Sequence, residues 1–369
     1  MTKYVQRSPF SHTFQQASKF FQNLSRFKKS RIFVSLLALS LASTLGLSNL
    51  IAPQPAASQS TKEITLVSYA VTKTAYGKII PKFVEKWKKE TGETVKVRES
   101  YGGSGSQARA VVDGLEADVT NFALAVDTNR LQIAGLLKAG WEKRLPNNSI
   151  VTKSAVVLAT RPANPKNIKT WADLAKPGIK VITANPKTSG VARWNFVALW
   201  GSVTETGGTE AQAKDYVTKV FKNVPVLPKD AREATDVFIK QRQGDVLLNY
   251  ENELILAAAE GKASTFALPP VNISIDTPVA VVDKYVDKHG TRKVAEAFAA
   301  YLFTPEAQRE FAKTGFRSVN PEVAKEFASK YRKIEKLYTI NEFGGWSAAN
   351  SKFFTDGAIF DQIQKDARK

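Results

Sequence analysis

Residues 180–200 read KVITANPKTSGVARWNFVALW, and the fold expected for the chain can be built outward from them. The apolar, β-branched start predicts a buried strand, NPKTSG predicts a turn, and residues 191–200 predict an apolar helix. The first turn of a helix carries backbone N–H groups without partners inside the helix, and its dipole adds partial positive charge. Ser189 offers a hydroxyl donor, and Gly190 lets a ligand approach the backbone. The segment therefore predicts an anion site, with an ordinary capped helix as the alternative.

A second stretch repeats this pattern. Residues 101–107 read YGGSGSQ, follow the strand-like residues 94–100 and lead into a helical pattern that runs through Leu115. Two strand ends with Gly and Ser at a helix start indicate two parts of a protein that close on one oxyanion. Neither stretch contains the Gly-Lys-Ser/Thr of a nucleoside triphosphate loop, so nucleotide binding is disfavoured.

Strand-like and helix-like segments alternate along the chain, which predicts an α/β fold with parallel or mixed sheets. A short strand is expected at residues 224–227, and an almost wholly helical region is expected from Thr291 onward. The 369 residues, 43% of them hydrophobic, suffice for two domains with their own cores. Because the chain contains no cysteine, disulfides, a thiol nucleophile and a lipoprotein anchor are excluded.

Residues 1–58 differ in composition from the rest. They hold seven Lys or Arg residues and no acidic residue, and the apolar run of residues 32–52 precedes small residues at 56–58. This pattern predicts a secretory signal peptide, with an uncleaved membrane anchor as the alternative. The remaining basic residues are scattered among acidic ones, which argues against nucleic-acid binding.

The residues that catalysis would need are scarce. The only histidines are His12, in the leader, and His289, so a His-based triad and a His-rich metal site are excluded. Glu251 and Glu253 form the most suggestive acidic pair, but their position favours capping of a helix over acid–base work. We therefore predict no catalytic residue, no metal site and no cofactor.

The predicted site offers neutral donors, among them the hydroxyls of Ser104 and Ser189. A fully ionised oxyanion only accepts hydrogen bonds, whereas a phosphate that still carries a proton needs an acceptor in its pocket. Donors without an evident acid therefore favour a sulfate-like anion over phosphate.

The chain resembles the periplasmic sulfate-binding proteins of ABC transporters, in a cyanobacterial form. The resemblance rests on residues 101–107 (YGGSGSQ), 114–118 (GLEAD), 185–195 (NPKTSGVARWN), 231–235 (AREAT), 244–253 (GDVLLNYENE) and 316–324 (FRSVNPEVA). It implies the type II periplasmic binding protein fold, in which two lobes, each a mixed β-sheet flanked by helices, close on an ion in the cleft. Two crossover segments, expected near Ser154 and Ile275, would act as hinges.

By this resemblance, residues 59–153 begin lobe 1, residues 154–274 form lobe 2, and residues 275–369 complete lobe 1 with the C-terminal helices. The implied sulfate ligands are the hydroxyls of Ser104 and Ser189, the backbone N–H groups of Ala70, Gly190, Val191 and Ala231, and a donor on Tyr250. Tyr250 departs from the Trp usual in the family. A phenol can accept as well as donate, which leaves the preference between sulfate and thiosulfate open.

The resemblance also implies a function. We expect a monomeric, exported binding protein, not an enzyme, that captures sulfate in the periplasm and presents it to a membrane permease. The alternatives are a receptor for thiosulfate, molybdate or phosphate, and an exported hydrolase of sulfate or phosphate esters.

Overall fold

The computed structural model describes residues 61–261 and 265–369. The predicted signal peptide of residues 1–58 lies outside this part of the chain. Within the two described ranges, no helix is both long and apolar enough to cross a membrane.

Twelve strands among the described residues form three sheets. A six-stranded sheet has the order β11-β4-β10-β3-β1-β2, a four-stranded sheet has the order β6-β7-β5-β8, and β12 pairs with β9. Strands β1–β3 pair in parallel, whereas β4 and β10 pair antiparallel, so the larger sheet is mixed. The bounds are β1 Lys62–Tyr69, β2 Val95–Gly102, β3 Val119–Asn121, β4 Ile150–Ser154, β5 Val156–Thr160, β6 Val181–Ile182, β7 Val246–Tyr250, β8 Thr265–Ala267, β9 Val271–Ile273, β10 Ile275–Val281, β11 Arg317–Ser318 and β12 Lys336–Tyr338.

Helices flank these sheets, so the predicted α/β architecture is confirmed. The α-helices are α1 Lys73–Thr91, α2 Ser104–Val112, α3 Ala125–Ile133, α4 Gly190–Thr204, α5 Glu210–Lys222, α6 Ala231–Ile239, α7 Glu251–Ala259, α8 Asp283–His289, α9 Arg292–Tyr301, α10 Pro305–Lys313, α11 Pro321–Glu326, α12 Gly345–Phe353 and α13 Ile359–Ala367. Short 3₁₀ segments occupy Ala70–Thr72, Trp141–Lys143, Asn147–Ser149, Trp171–Ala175, Ala328–Lys330 and Ile340–Phe343.

Both predicted strand–turn–helix segments are present. Strand β2 runs into α2, and β6 is followed by the turn that leads into α4. Helix α4 is buried on nearly all sides from Gly190 to Gly201. Its continuous apolar sequence reflects this burial, because a helix that is hydrophobic all round belongs in a core.

The chain crosses twice between the two larger sheets. Strand β4 belongs to the six-stranded sheet and β5 to the four-stranded sheet, with only Ala155 between them. The chain returns to the six-stranded sheet at β10, whose Ile275 pairs with Ser154. The two crossings therefore lie side by side, at the positions expected from the sequence. We call the six-stranded sheet with its helices the first lobe and the four-stranded sheet with its helices the second lobe.

The predicted strand at residues 224–227 is wrong. These residues follow α5 without joining a sheet. Pro225 lies inside the segment and Pro228 directly after it, and a proline has no N–H group to donate to a strand ladder. The region after Thr291 is mainly helical as predicted, but it also contributes β11 and β12.

The last two helices differ from the expectation that residues 275–369 complete the first lobe. Phe360 of α13 is fully buried and contacts Phe196 of α4 and Phe221 of α5. Lys352 of α12 pairs with Glu210 at the start of α5. The aromatic contacts of Phe360 and the ion pair of Lys352 attach α13 and α12 to helices of the second lobe. The rest of the division into lobes stays a proposal.

Replacement of Phe360 by Ala should therefore detach α13. Truncation of a buried Phe removes its contacts and leaves a cavity, so the free energy of unfolding should fall by about 3–5 kcal/mol. Urea unfolding followed by circular dichroism measures this loss. The control is Phe327→Ala, because Phe327 is only partly buried. Equal losses in the two variants would contradict the proposed packing role of Phe360.

Candidate functional site

The seven ligand residues implied by the sequence line one small cavity between the two lobes. The complete lining consists of Tyr69, Ala70, Val71, Gly102, Gly103, Ser104, Ser189, Gly190, Val191, Asp230, Ala231 and Tyr250. The first lobe contributes the ends of β1 and β2 and the start of α2. The second lobe contributes the starts of α4 and α6 and the end of β7. Chain segments that are distant in sequence are thus brought together.

Three helix N-termini converge on this cavity. Helices α2, α4 and α6 begin at Ser104, Gly190 and Ala231, and each of these first residues lines it. The first turns of α2 and α4 carry no acidic residue that would neutralise the dipole. Free N–H groups and partial positive charge from three directions suit an anion.

The Ser189 hydroxyl is available to a ligand. Ser189 precedes α4 and is buried, yet its side chain makes no capping hydrogen bond to that helix. A serine at this position ordinarily caps the helix. The geometry therefore argues against the ordinary capped helix that the sequence left open.

The Ser104 hydroxyl is already bonded within the first lobe. It donates to Asp127 Oδ2 at 2.6 Å and accepts from the backbone N–H of Ala123 at 3.0 Å. Asp127 also forms an ion pair with Arg193 of α4 at 3.2 Å, and both side chains are almost fully buried. Burial lowers the pKa of the Arg193 guanidinium, and Asp127 opposes that shift. The sequence did not reveal this network, although an arginine within the apolar helix pattern was a visible signal.

Tyr250 presents a buried phenol at the cavity. Its hydroxyl has no hydrogen-bond partner among the described residues, and its ring contacts Tyr69 edge-on at 6.0 Å. Burial raises the pKa of Tyr250 well above its ordinary value, so the phenol keeps its proton. A buried O–H group without a partner is costly, and an anion in the cavity would satisfy it.

The lobes touch around the cavity. The Trp194 indole N–H of α4 donates to the carbonyl oxygen of Ala123 at 2.9 Å, and the Ser106 N–H donates to the carbonyl oxygen of Thr188 at 3.3 Å. A Cβ atom added at Gly190 would lie only 2.5 Å from Ala123 Cβ. Glycine is therefore required here for close approach of the lobes, and the arrangement is that of a closed clamp.

An acidic residue does reach the cavity, although no acid was evident for this site in the sequence. Asp230 lies in the wall, and its Oδ1 caps α6 by accepting from the Glu233 N–H at 2.9 Å. The other acidic residues considered are engaged elsewhere. Glu251 makes a two-pronged ion pair with Arg317 of the first lobe at 2.7 and 3.0 Å, and Glu253 pairs with Arg232 at 2.9 Å.

Two lobes that close on a small, donor-lined cavity define a protein that binds a solute. Residues 64–317 match the model of the family described as bacterial extracellular solute-binding protein. The chain belongs to this family, and its relatives include both sulfate-binding and thiosulfate-binding proteins.

The sulfate-binding protein of Synechococcus elongatus is 59% identical over 304 residues, which cover 82% of this chain and 87% of the relative. That of Escherichia coli is 44% identical and covers 82% of this chain and 94% of the relative. A thiosulfate-binding protein of Pseudomonas aeruginosa is 42% identical, and the match covers 80% of this chain and 90% of the relative. Among solved structures, the sulfate-binding protein SubI of Mycobacterium tuberculosis matches with a TM-score of 0.74 at 38% identity, over 80% of this chain and all of that one.

Replacement of Gly190 by Ala should block closure. The added methyl group meets Ala123 across the cleft. Overpacking of this kind costs about 1–3 kcal/mol, or roughly fivefold to 150-fold in affinity. Titration with sulfate measures the loss, and small-angle scattering should show no decrease in the radius of gyration with sulfate. Gly77→Ala is the control, because its added Cβ meets nothing within 4 Å. Unchanged affinity in Gly190→Ala would contradict the closed clamp as the binding form.

Proposed function

We propose that this protein is an exported receptor that captures sulfate between its lobes and delivers it to an ABC transporter permease. The observation that carries the proposal is the convergence of three helix N-termini, from both lobes, on one cavity lined by neutral donors. Dipoles and N–H groups stabilise an anion without a cation beside it, and they demand no proton from it. The sulfate-binding relatives support the same ligand.

The proposed donors are backbone N–H groups and three hydroxyls. The N–H groups belong to Ala70, Gly190, Val191 and Ala231, and the hydroxyls belong to Ser104, Ser189 and Tyr250. Ser104 must turn its proton away from Asp127 to donate to the anion, because a hydroxyl has only one proton. Ser189 has no such competing bond within α4. Of the two serines, we therefore assign Ser189 the larger contribution to the binding free energy of sulfate.

Closure provides the signal to the transporter. A small tetrahedral ion satisfies donors on both lobes only when the lobes approach each other, so it binds the closed form better and shifts the population towards it. A permease that recognises the closed spacing of the two lobes then distinguishes the loaded protein from the empty one. The side-by-side crossings at Ala155 and Ser274 are the proposed hinge.

Export and the absence of catalysis complete the proposal. The basic, apolar leader of residues 1–58 would direct the chain to the periplasm, where it would act as a monomer. Glu251 and Glu253 are held in ion pairs, and neither lines the cavity, which disfavours an ester hydrolase. A turnover assay with sulfate and phosphate esters tests this point.

Asp230 and Tyr250 bear on the alternative ligands. A carboxylate in the wall can accept a hydrogen bond from the proton of hydrogen phosphate, and a phenol can turn from donor to acceptor. These two groups make phosphate and thiosulfate the competitors to test, with molybdate as a third tetrahedral oxyanion.

The first expected result is selective stabilisation by sulfate. Sulfate at a hundred times its dissociation constant should raise the free energy of unfolding by about 2.7 kcal/mol. Thermal unfolding with and without each anion measures this increase, and competition titration ranks sulfate, thiosulfate, molybdate and phosphate. Stabilisation by phosphate, with none by sulfate, would contradict the assignment.

The two serines should respond differently to replacement by Ala. Ser189→Ala removes a donor to a buried anion, a charge-assisted bond of about 1.5–3 kcal/mol, so affinity should fall about tenfold to hundredfold while the ligand-free melting temperature is kept. Ser104→Ala also removes the hydroxyl that bonds to Asp127 Oδ2 and to the Ala123 N–H, so it should lower that melting temperature as well. Calorimetry and thermal unfolding separate these effects. A Ser189→Ala variant that loses stability but no affinity would identify Ser189 as a structural residue.

A further inference from the structure

Lys187 is a cation within the turn that leads to the anion-binding helix, yet it does not line the cavity. Its Nζ lies 2.9 Å from the Asp361 carboxylate, 3.2 Å from the carbonyl oxygen of Phe354 and 3.4 Å from Asp356 Oδ1. The side chain therefore points to the C-terminal part of the chain. Its charge is matched there by two carboxylates and is not directed at the anion.

Residues 353–361, here called the C-terminal strap, also contact helix α4. Arg193 of α4 lies over the Phe354 ring at 5.6 Å, and Phe196 contacts the same ring at 5.3 Å. Asp361 Oδ2 also accepts from the Gly357 N–H at 2.8 Å, which holds the strap in shape. Burial raises the pKa of Asp361, but the bonds from Lys187 and Gly357 outweigh it and keep that pKa below its ordinary value.

The turn is also fastened to its own lobe. The Asn185 N–H donates to the carbonyl oxygen of Pro228 at 2.8 Å, and Thr188 Oγ1 donates to that of Lys229 at 2.7 Å. These bonds connect the turn to the segment before α6. Lys187 adds the connection on the side of the strap, so the backbone that ends in Ser189 and Gly190 is held from two directions.

We propose that Lys187 and Asp361 form a positioning pair, through which the C-terminal strap holds the anion-binding turn in the geometry that binds. The inference rests on the proposed function, since it takes residues 189–191 as donors to sulfate. Donors that are already ordered lose less entropy when they bind, so a firmly held turn increases affinity. Neither residue touches the anion.

Direct electrostatic attraction of sulfate would be a different role for Lys187, and it predicts a different experimental result. If its positive charge attracted sulfate directly, removal of the opposing charge in Asp361→Asn would strengthen binding. A positioning role makes Asp361→Asn weaken binding, as Lys187→Met does. The sign of the Asp361→Asn effect therefore distinguishes the two roles.

The experiment measures sulfate affinity by calorimetry and amide hydrogen exchange of residues 187–191 in the ligand-free protein. Lys187→Met and Asp361→Asn should each weaken binding by about threefold to tenfold and speed exchange in the turn. The double variant should lose no more than either single one, because both changes break one interaction. Lys187→Arg, which keeps the charge, should bind nearly as well as the unaltered protein.

Lys352→Met is the matched control. Lys352 pairs with Glu210 at 2.7 Å and also ties the C-terminal region to the second lobe, but it does not contact the turn. Its replacement should leave affinity and exchange of residues 187–191 unchanged. Equal effects of Lys187→Met and Lys352→Met, or tighter binding by Asp361→Asn, would overturn the inference. If the unaltered protein binds no sulfate, the proposed function fails, and amide exchange alone decides whether Lys187 holds the turn.

Discussion

The structure depends on one electrostatic constraint, which is that partial positive charge must surround a buried site without any full positive charge in its wall. Helices α2, α4 and α6 meet this constraint by directing their N-termini at one cavity. A helix offers its free N–H groups only along its axis, so the three helices need different directions of approach. Two lobes on a double crossing supply those directions.

Full charges are present close to the cavity, but they are paired with one another. Arg193 and Asp127 join the lobes beside the site, and Arg317 and Glu251 join them near the crossings. Buried charges are tolerated when partners and hydrogen bonds compensate them, and removal of one partner is strongly destabilising. These pairs can orient the lobes against each other while the cavity itself keeps neutral donors. The charge of an incoming anion would then be met by N–H groups, hydroxyls and helix dipoles, with no full positive charge in the wall.

Firm attachment of the donors matters as much as their identity. The turn before α4 is fastened to the second lobe at Pro228 and Lys229 and to the C-terminal strap at Lys187. The strap itself is anchored by Phe360 in an aromatic core with Phe196. The contact between Phe360 and Phe196, neither of which lines the cavity, therefore contributes to the geometry of the binding turn. A close-packed core has low compressibility, so a displacement of one side chain is transmitted to its neighbours.

The sequence by itself determined the local units and seven of the twelve residues that line the cavity, because strand periodicity, Gly and Ser at helix starts and the family motifs are all local signals. Tertiary structure alone decided that the Ser104 hydroxyl bonds to Asp127, that Asp230 enters the wall and that α13 packs on the second lobe. Each of these contacts joins residues whose separation in sequence matches neither the helix nor the strand period. The local sequence pattern therefore does not indicate which residue will be the partner. The predicted strand at residues 224–227 failed for a related reason: a strand exists only where a neighbour pairs with it, and whether a neighbour is present is decided by the fold.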